Sequence, residues 1–384
     1  MIPYGRQHIT EDDIEEVVKI LKSEYLTQGP VVQKFEDAIS NYTSAKHSVA
    51  FNSATSALHV ACIALDLGPG DWLWTSPNTF VASANCGLYC GANIDFVDID
   101  PNTYNLCATK LEEKLKISAI SGKLPKVVIP VHYAGHPCDM RTIYHLSQIY
   151  GFHIIEDASH AIGAEFFNSK IGNCLYSDIT VFSFHPVKII TTGEGGAAST
   201  NDTNLAEKMR RLRTHGITTD KNLMDIMAEE EIWNYRQIEL GYNYRMTDIH
   251  AALGCSQIKR IDEYINKRTE IAQVYDSALK DTNIVVQKIL PSHKSSFHLY
   301  PIRIKKESML AQRSLYEIFH QNGILVNVHY PPVHRQPYYK KLGFKAGDFP
   351  EAESFHREVL TLPIYPMLTA QQQQKVIDVL NEHT

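Results

Sequence analysis

Between residues 47 and 200 the chain repeats one pattern: a short apolar run, a longer stretch with helical spacing, then another short apolar run. The apolar runs fall at 48–51, 72–75, 94–99, 126–131, 152–156 and 179–184, with a further strand-like run at 197–200. Strands that alternate with helices pair side by side in parallel, because each helix carries the chain back across the sheet. The pattern therefore predicts an α/β fold with a mainly parallel central sheet covered by helices. A helical stretch from about Thr247 to Leu279 follows, and then a strand (299–304), a helix (308–321) and a strand (325–329). At 384 residues the chain exceeds the roughly 250–300 residues at which single cores stop growing. The reading divides it into an N-terminal arm and helix (1–24), a large domain (25–260), and a connecting helix with a smaller C-terminal α+β domain (261–384).

Composition narrows the function classes. The net charge of −6 gives nucleic acid no general electrostatic reason to bind. The basic cluster Lys208, Arg210, Arg211 and Arg213 reads as a solvated helix face. The seven cysteines include no Cys-x-x-Cys pair, so neither a disulfide framework nor a zinc ribbon is indicated, and no metal site is expected. Met1–Arg6 is too short and polar for a signal peptide, and no apolar run is long enough to span a bilayer. The expectation is a soluble, cytoplasmic protein without membrane or nucleic-acid partners. Thr10 and Asp13 form a capping box ahead of a first helix, and Tyr25-Leu26-Thr27-Gln28-Gly29-Pro30 breaks the chain before a second. That break is a candidate binding loop.

Three segments carry chemistry. In Phe51-Asn52-Ser53-Ala54-Thr55-Ser56-Ala57-Leu58 a strand gives way to small residues opening a helix, whose free amides and dipole suit an anionic phosphate. Ser53 and Thr55 serve equally well as plain helix caps. The strand 152–156 delivers Asp157 to the carboxyl edge of the sheet, where open α/β sheets bind ligands; a cap for the following turn is the alternative, and His160 taken alone is weaker. Lys188, among Val187, Ile189 and Ile190, would lose hydration, which lowers its pKa and favours the neutral amine that attacks a carbonyl. A snorkelling surface lysine is the competing reading. Gly193–Ala198 matches a dinucleotide-binding spacing, but a strand rather than a helix follows it, so nicotinamide binding is rejected.

These segments, with Thr192-Gly193-Glu194-Gly195-Gly196 and Gly241-Tyr242-Asn243-Tyr244-Arg245-Met246, resemble the DegT/DnrJ/EryC/StrS family of pyridoxal-phosphate-dependent nucleotide-sugar aminotransferases over essentially the whole chain. The resemblance implies fold type I and a homodimer with shared active sites. It implies that Lys188 holds pyridoxal 5'-phosphate as a Schiff base and that Asp157 pairs with the ring nitrogen. Ala54, Thr55 and Ser183 would take the phosphate, and Asn243 would reach it from the neighbouring subunit. Phe80 would stack on the ring, although an ordinary core aromatic fits that position too, and His160 would face the phenolic oxygen. A related sugar dehydratase, with histidine at the lysine position, is disfavoured by Lys188. A non-catalytic regulator is disfavoured by the complete set Asp157, Ser183 and Lys188.

Within the family, Phe51–Leu58 and Val328-His329-Tyr330 resemble the branch that transfers an amino group from L-glutamate to C4 of a UDP-linked 4-keto-6-deoxy-N-acetylhexose, toward pseudaminic acid. By the same resemblance Tyr4, Tyr25, Leu26, Thr27, Ser53, His329 and Tyr330 would bind the sugar nucleotide. Arg236 and Arg245 suit a carboxylate or diphosphate, and equally an ordinary salt bridge.

Overall fold

The structure, a computed structural model, describes residues 1–224, 233–304 and 309–383. Seven strands form the central sheet: β1 (His47–Phe51), β2 (Trp72–Thr75), β3 (Asn93–Phe96), β4 (Val127–Ile129), β5 (His153–Asp157), β6 (Ile179–Ser183) and β7 (Gly196–Thr200). Their order is β1-β7-β6-β5-β4-β2-β3. The pairs from β6 through β3 are parallel, whereas β7 runs antiparallel to both β1 and β6. The reversal has a local cause: residues 184–195 form a compact loop with no helix to carry the chain across the sheet. Thr192 N–H and Thr191 Oγ1 both donate to Phe184 O, at 3.0 and 2.9 Å, which folds that loop back on itself.

Both faces of the sheet are covered, which is why its strands read as continuous apolar runs. Val49, Phe51, Val181 and Ala198 pack into one core with α3 (Ala54–Ala64) and α4 (Ala82–Tyr89). Ala50, Phe182 and Ala197 point the other way and pack with α2 (Pro30–Thr43) and α6 (Met140–Tyr150). A third core surrounds an antiparallel sheet of Ile284–Val286, Tyr300–Ile304 and Val359–Leu362. The helix Ile261–Leu279 bridges two of these cores: Ile261, Tyr264 and Ile265 lie in the second, Ile271, Tyr275 and Leu279 in the third.

Three elements differ from the sequence reading. The helical stretch 247–279 is divided into Asp248–Gln257 and Ile261–Leu279 by one tighter turn at Ile258–Arg260. The strand expected over 325–329 is only Ile324–Leu325, since the chain turns toward Pro331 and Pro332, which cannot donate to a ladder. Ile2–Pro3 pairs in parallel with those same two residues, so the extreme N-terminus belongs with the C-terminal elements.

The first helix, Glu11–Leu21, is fastened through Asp13, only 1% exposed. Its carboxylate accepts from Thr10 N (2.9 Å), Gln257 Nε2 (2.7 Å) and an Arg260 guanidinium nitrogen (2.6 Å). Burial alone would raise its pKa; hydrogen bonds from Ser256, Thr10, Arg260 and Gln257 outweigh that and lower it. Asp13→Ala leaves these donors unpaired and is expected to cost about 3–5 kcal/mol of stability, measured by urea unfolding at pH 7. Because the folded pKa is depressed, the carboxylate's contribution is present above the ordinary aspartate value and fades as pH falls through the folded one. The gap between wild type and variant therefore narrows in acid.

Candidate active site

The carboxyl ends of β5 and β6 and the first turn of α3 meet at a cavity of about 380 Å³. Strand register explains the meeting. Asp157 pairs with Val181, and Ser183, two residues further along, shares that face of the sheet. Ser183 pairs in turn with Gly196, against which the α3 turn is seated. A Cβ on Gly196 would lie 2.4 Å from Ala54 N and 2.6 Å from the Ser53 carbonyl carbon, so only glycine lets the turn approach the sheet. The amides of Ala54 and Thr55 belong to the first helical turn, where no intrahelical acceptor exists. Ser53 is the N-cap: its Oγ accepts from Ser56 N at 3.1 Å. The cap reading thus holds for the Ser53 side chain, which lines the cavity at the same time.

Lys188 stands in the loop after β6, on a turn closed by Lys188 N–H donating to His185 O at 2.9 Å. Ile189 and Ile190 are buried and anchor this turn, so Lys188 cannot swing to solvent as a surface residue does. Part of its side chain remains open to the cavity. Desolvation by the surrounding protein lowers its pKa to about 8, and the Asp157 carboxylate opposes that shift without cancelling it. The rate at which Lys188 is modified by an aldehyde under borohydride reduction is therefore expected to rise with pH through a midpoint near 8 and then level off. Mass spectrometry of the Lys188 peptide checks this; a midpoint near the ordinary lysine value of about 10.4 would show a fully hydrated amine.

Asp157 is 4% exposed. Its Oδ1 accepts from Ser159 N at 3.1 Å and its Oδ2 from Ser83 Oγ at 2.6 Å, so it closes the following turn and also lines the cavity. His160 has a defined tautomer. Ala134 N–H donates to its Nδ1 at 3.3 Å, and burial pushes its pKa well below the usual value. The ring is neutral, and its remaining proton sits on Nε2, 3.1 Å from the Tyr330 hydroxyl. His329 stacks at a tilt on Tyr4 with ring centroids 5.1 Å apart, and burial lowers its pKa to about 3. Phe80 is 60% exposed beside the cavity, not a core aromatic.

The structure thus brings together Lys188, Asp157, Ala54, Thr55, Phe80, His160, Ser183, Tyr4, Ser53, His329 and Tyr330 around one cavity. Tyr25, Leu26, Thr27 and Asn243 do not line it. Tyr25 and Leu26 are exposed, and the loop is clipped to the helix at Asp248, whose backbone N–H donates to Leu26 O at 3.0 Å. Asn243 is exposed on a segment bridged to Thr214. Arg245 is bridged to Phe51, and Arg236 lies in a two-residue strand opposite Thr218; neither lines the cavity. The basic cluster is paired rather than merely solvated: Arg213 binds Glu36, Arg211 binds Glu239 at 2.8 Å and Lys208 binds Asp66. Sequence reasoning missed Ser83, Thr79, Ser159 and Glu194, all of which line the cavity. No helical spacing marked Thr79 and Ser83 as a pair, since Thr79 precedes α4 and only Ser83 lies on it.

The profile of the DegT/DnrJ/EryC1/StrS aminotransferase family matches residues 7–381. The chain belongs to this family. Like other members it is a pyridoxal-phosphate-dependent sugar aminotransferase. It is 39% identical over 384 residues to the UDP-4-amino-4,6-dideoxy-N-acetyl-beta-L-altrosamine transaminase of Campylobacter jejuni, covering 99% of this chain and 96% of that one. Helicobacter pylori PseC, described as an aminotransferase of pseudoaminic acid biosynthesis, superposes with a TM-score of 0.91 at 32% identity, over 100% of this chain and 98% of that chain. The PLP form of Spr1654 from Streptococcus pneumoniae gives 0.89 at 30% identity, over 100% and 99%.

The aminotransferase cavity suits pyridoxal phosphate in its own chemistry. A helix N-terminus with free amides is an anion seat, a buried carboxylate matches a protonated ring nitrogen, and an amine of lowered pKa matches an aldehyde. Among the described residues no helix is long and apolar enough to cross a membrane.

Proposed function

We propose that this aminotransferase moves the amino group of L-glutamate to C4 of a UDP-linked 4-keto-6-deoxy-N-acetylhexose, forming UDP-4-amino-4,6-dideoxy-N-acetyl-β-L-altrosamine for pseudaminic acid synthesis. The observation that carries the chemistry is the Lys188 amine, its pKa near 8, in the same cavity as Asp157 and the α3 turn. The choice of sugar is supported by the Campylobacter and Helicobacter relatives.

Ala54, Thr55 and Ser183 would hold the cofactor phosphate, Asp157 would face the ring nitrogen, Phe80 would cover the ring and His160 would offer its Nε2 proton to the phenolic oxygen. Bound there, pyridoxal phosphate supplies an electron sink for the substrate carbon. Lys188 Nζ accepts the proton from the donor's α-carbon and, in the second half-reaction, delivers one to C4 of the sugar. A pKa close to working pH suits an amine that must do both. Donor and sugar take turns in one cavity, which predicts ping-pong kinetics. Tyr4, Ser53, His329 and Tyr330 line the sugar side. Tyr25, Leu26, Thr27 and Asn243, exposed outside their own chain's cavity, complete the site of a second copy in a homodimer.

The test is a panel of nucleotide-linked 4-keto sugars incubated with glutamate, with products identified by mass spectrometry and NMR. Selective amination of the UDP-linked N-acetyl 4-keto sugar is the expected result, and preference for another sugar would overturn the assignment. Sedimentation showing a fully active monomer would sink the shared site.

A further inference from the structure

We propose that Thr79 and Ser83 form a hydroxyl relay that positions Asp157, so that the orientation of this carboxylate is set by the α4 segment as well as by its own strand. The proposal rests on the reading that Asp157 faces the cofactor's ring nitrogen. Ser83, Thr79 and Asp157 are 0%, 3% and 4% exposed, so water does not substitute freely for any of their bonds.

Proton counting fixes the direction of the relay. A carboxylate only accepts, so the single Ser83 proton goes to Asp157 Oδ2 at 2.6 Å in preference to Phe80 O at 3.4 Å. Thr79 Oγ1, 2.8 Å from Ser83 Oγ, must then be the donor to Ser83. With Ser159 N–H on Oδ1, each carboxylate oxygen has one fixed donor. The group cannot rotate without breaking one of them. The donors come from two independent elements, the turn after β5 and the start of α4. That helix is itself held by Tyr339 Oη donating to Asn85 Oδ1 at 2.7 Å, and the loop leading into it by Val333 N–H donating to Pro77 O at 2.9 Å. Ser83 is therefore a positioning residue.

The test compares Ser83→Ala, Thr79→Val, Asp157→Asn and Tyr339→Phe by two readouts besides turnover: the dissociation constant of pyridoxal phosphate, and the pH midpoint at which the visible band of the bound cofactor titrates. Ser83→Ala is expected to weaken cofactor binding by about 10–100-fold, the range seen when an orienting hydrogen bond is lost at a metal-ligand site. It should also move the titration midpoint by about one unit, a tenfold change in the proton equilibrium. Thr79→Val, which keeps its shape and removes only the upstream donor, should move both in the same direction by less; it carries the test if Ser83→Ala does not fold. Tyr339→Phe removes one tether of the helix but neither relay hydroxyl, and should move both readouts by less than Ser83→Ala. Asp157→Asn altering both readouts while Ser83→Ala and Thr79→Val leave them at wild-type values would overturn the relay alone, as would Tyr339→Phe reproducing the Ser83→Ala shift. Asp157→Asn without effect would overturn the assignment of Asp157 on which the relay depends.

Discussion

Lys188→Ala is expected to yield a folded protein in which transamination falls by at least about 10²–10⁴-fold, the contribution of positioned proton transfer alone, with the loss of the proposed covalent anchor adding to it. The side chain lines a cavity and is not part of a core cluster, so the thermal melt should stay close to wild type. The defect should be equally deep in both half-reactions, since one amine is proposed to serve both. Single-turnover formation of 2-oxoglutarate from glutamate measures the first half, and amination of the keto sugar by protein preloaded with pyridoxamine phosphate measures the second. Turnover within tenfold of wild type in either would remove Lys188 from the chemistry.

The second large effect belongs to Asp157. Asparagine keeps the volume but removes the charge, and its NH₂ group confronts the donors Ser83 Oγ–H or Ser159 N–H. Losing a preorganised electrostatic partner in a dry site commonly costs about 10²–10³ in rate, and Asp157→Asn is expected to fall in that range. A second consequence is independent of turnover. Because the carboxylate raises the Lys188 pKa against desolvation, the variant's Lys188 should titrate below the wild-type value of about 8. An unchanged midpoint for Lys188 adduct formation would show that the two groups do not sense each other.

Much of the fold was legible because burial on both faces of a parallel sheet leaves a mark that any single strand carries. The runs at 72–75, 152–156 and 179–184 sit where β2, β5 and β6 are found, within a residue at each end. The α3 turn was legible too, since a strand end followed by small polar residues is a local event. The antiparallel course of β7 was not, because it depends on what the connecting loop lacks. Nor was the division of the helical stretch at Ile258–Arg260, a change of one turn's winding with no proline or glycine to announce it. Ser83 looked like any serine near a helix start. Its partner Asp157 is 74 residues away, and the 2.6 Å bond between them exists only once α4 is laid beside β5.

The residue types and their order were enough to indicate an α/β chain with a lysine in an apolar loop, a carboxylate at a strand end and small residues opening a helix. These are local properties: periodicity, side-chain chemistry and unpaired first-turn amides. Tertiary packing alone decided that the three share one cavity, that Lys188 is dehydrated enough to sit near pKa 8, and that His160 is a neutral donor at Nε2. It also decided that Tyr4, from the N-terminal end, and Tyr330, from the C-terminal part, meet there. Desolvation, hydrogen-bond direction and charge coupling all depend on distance in space, and distance in space between remote residues is set by how the elements stack.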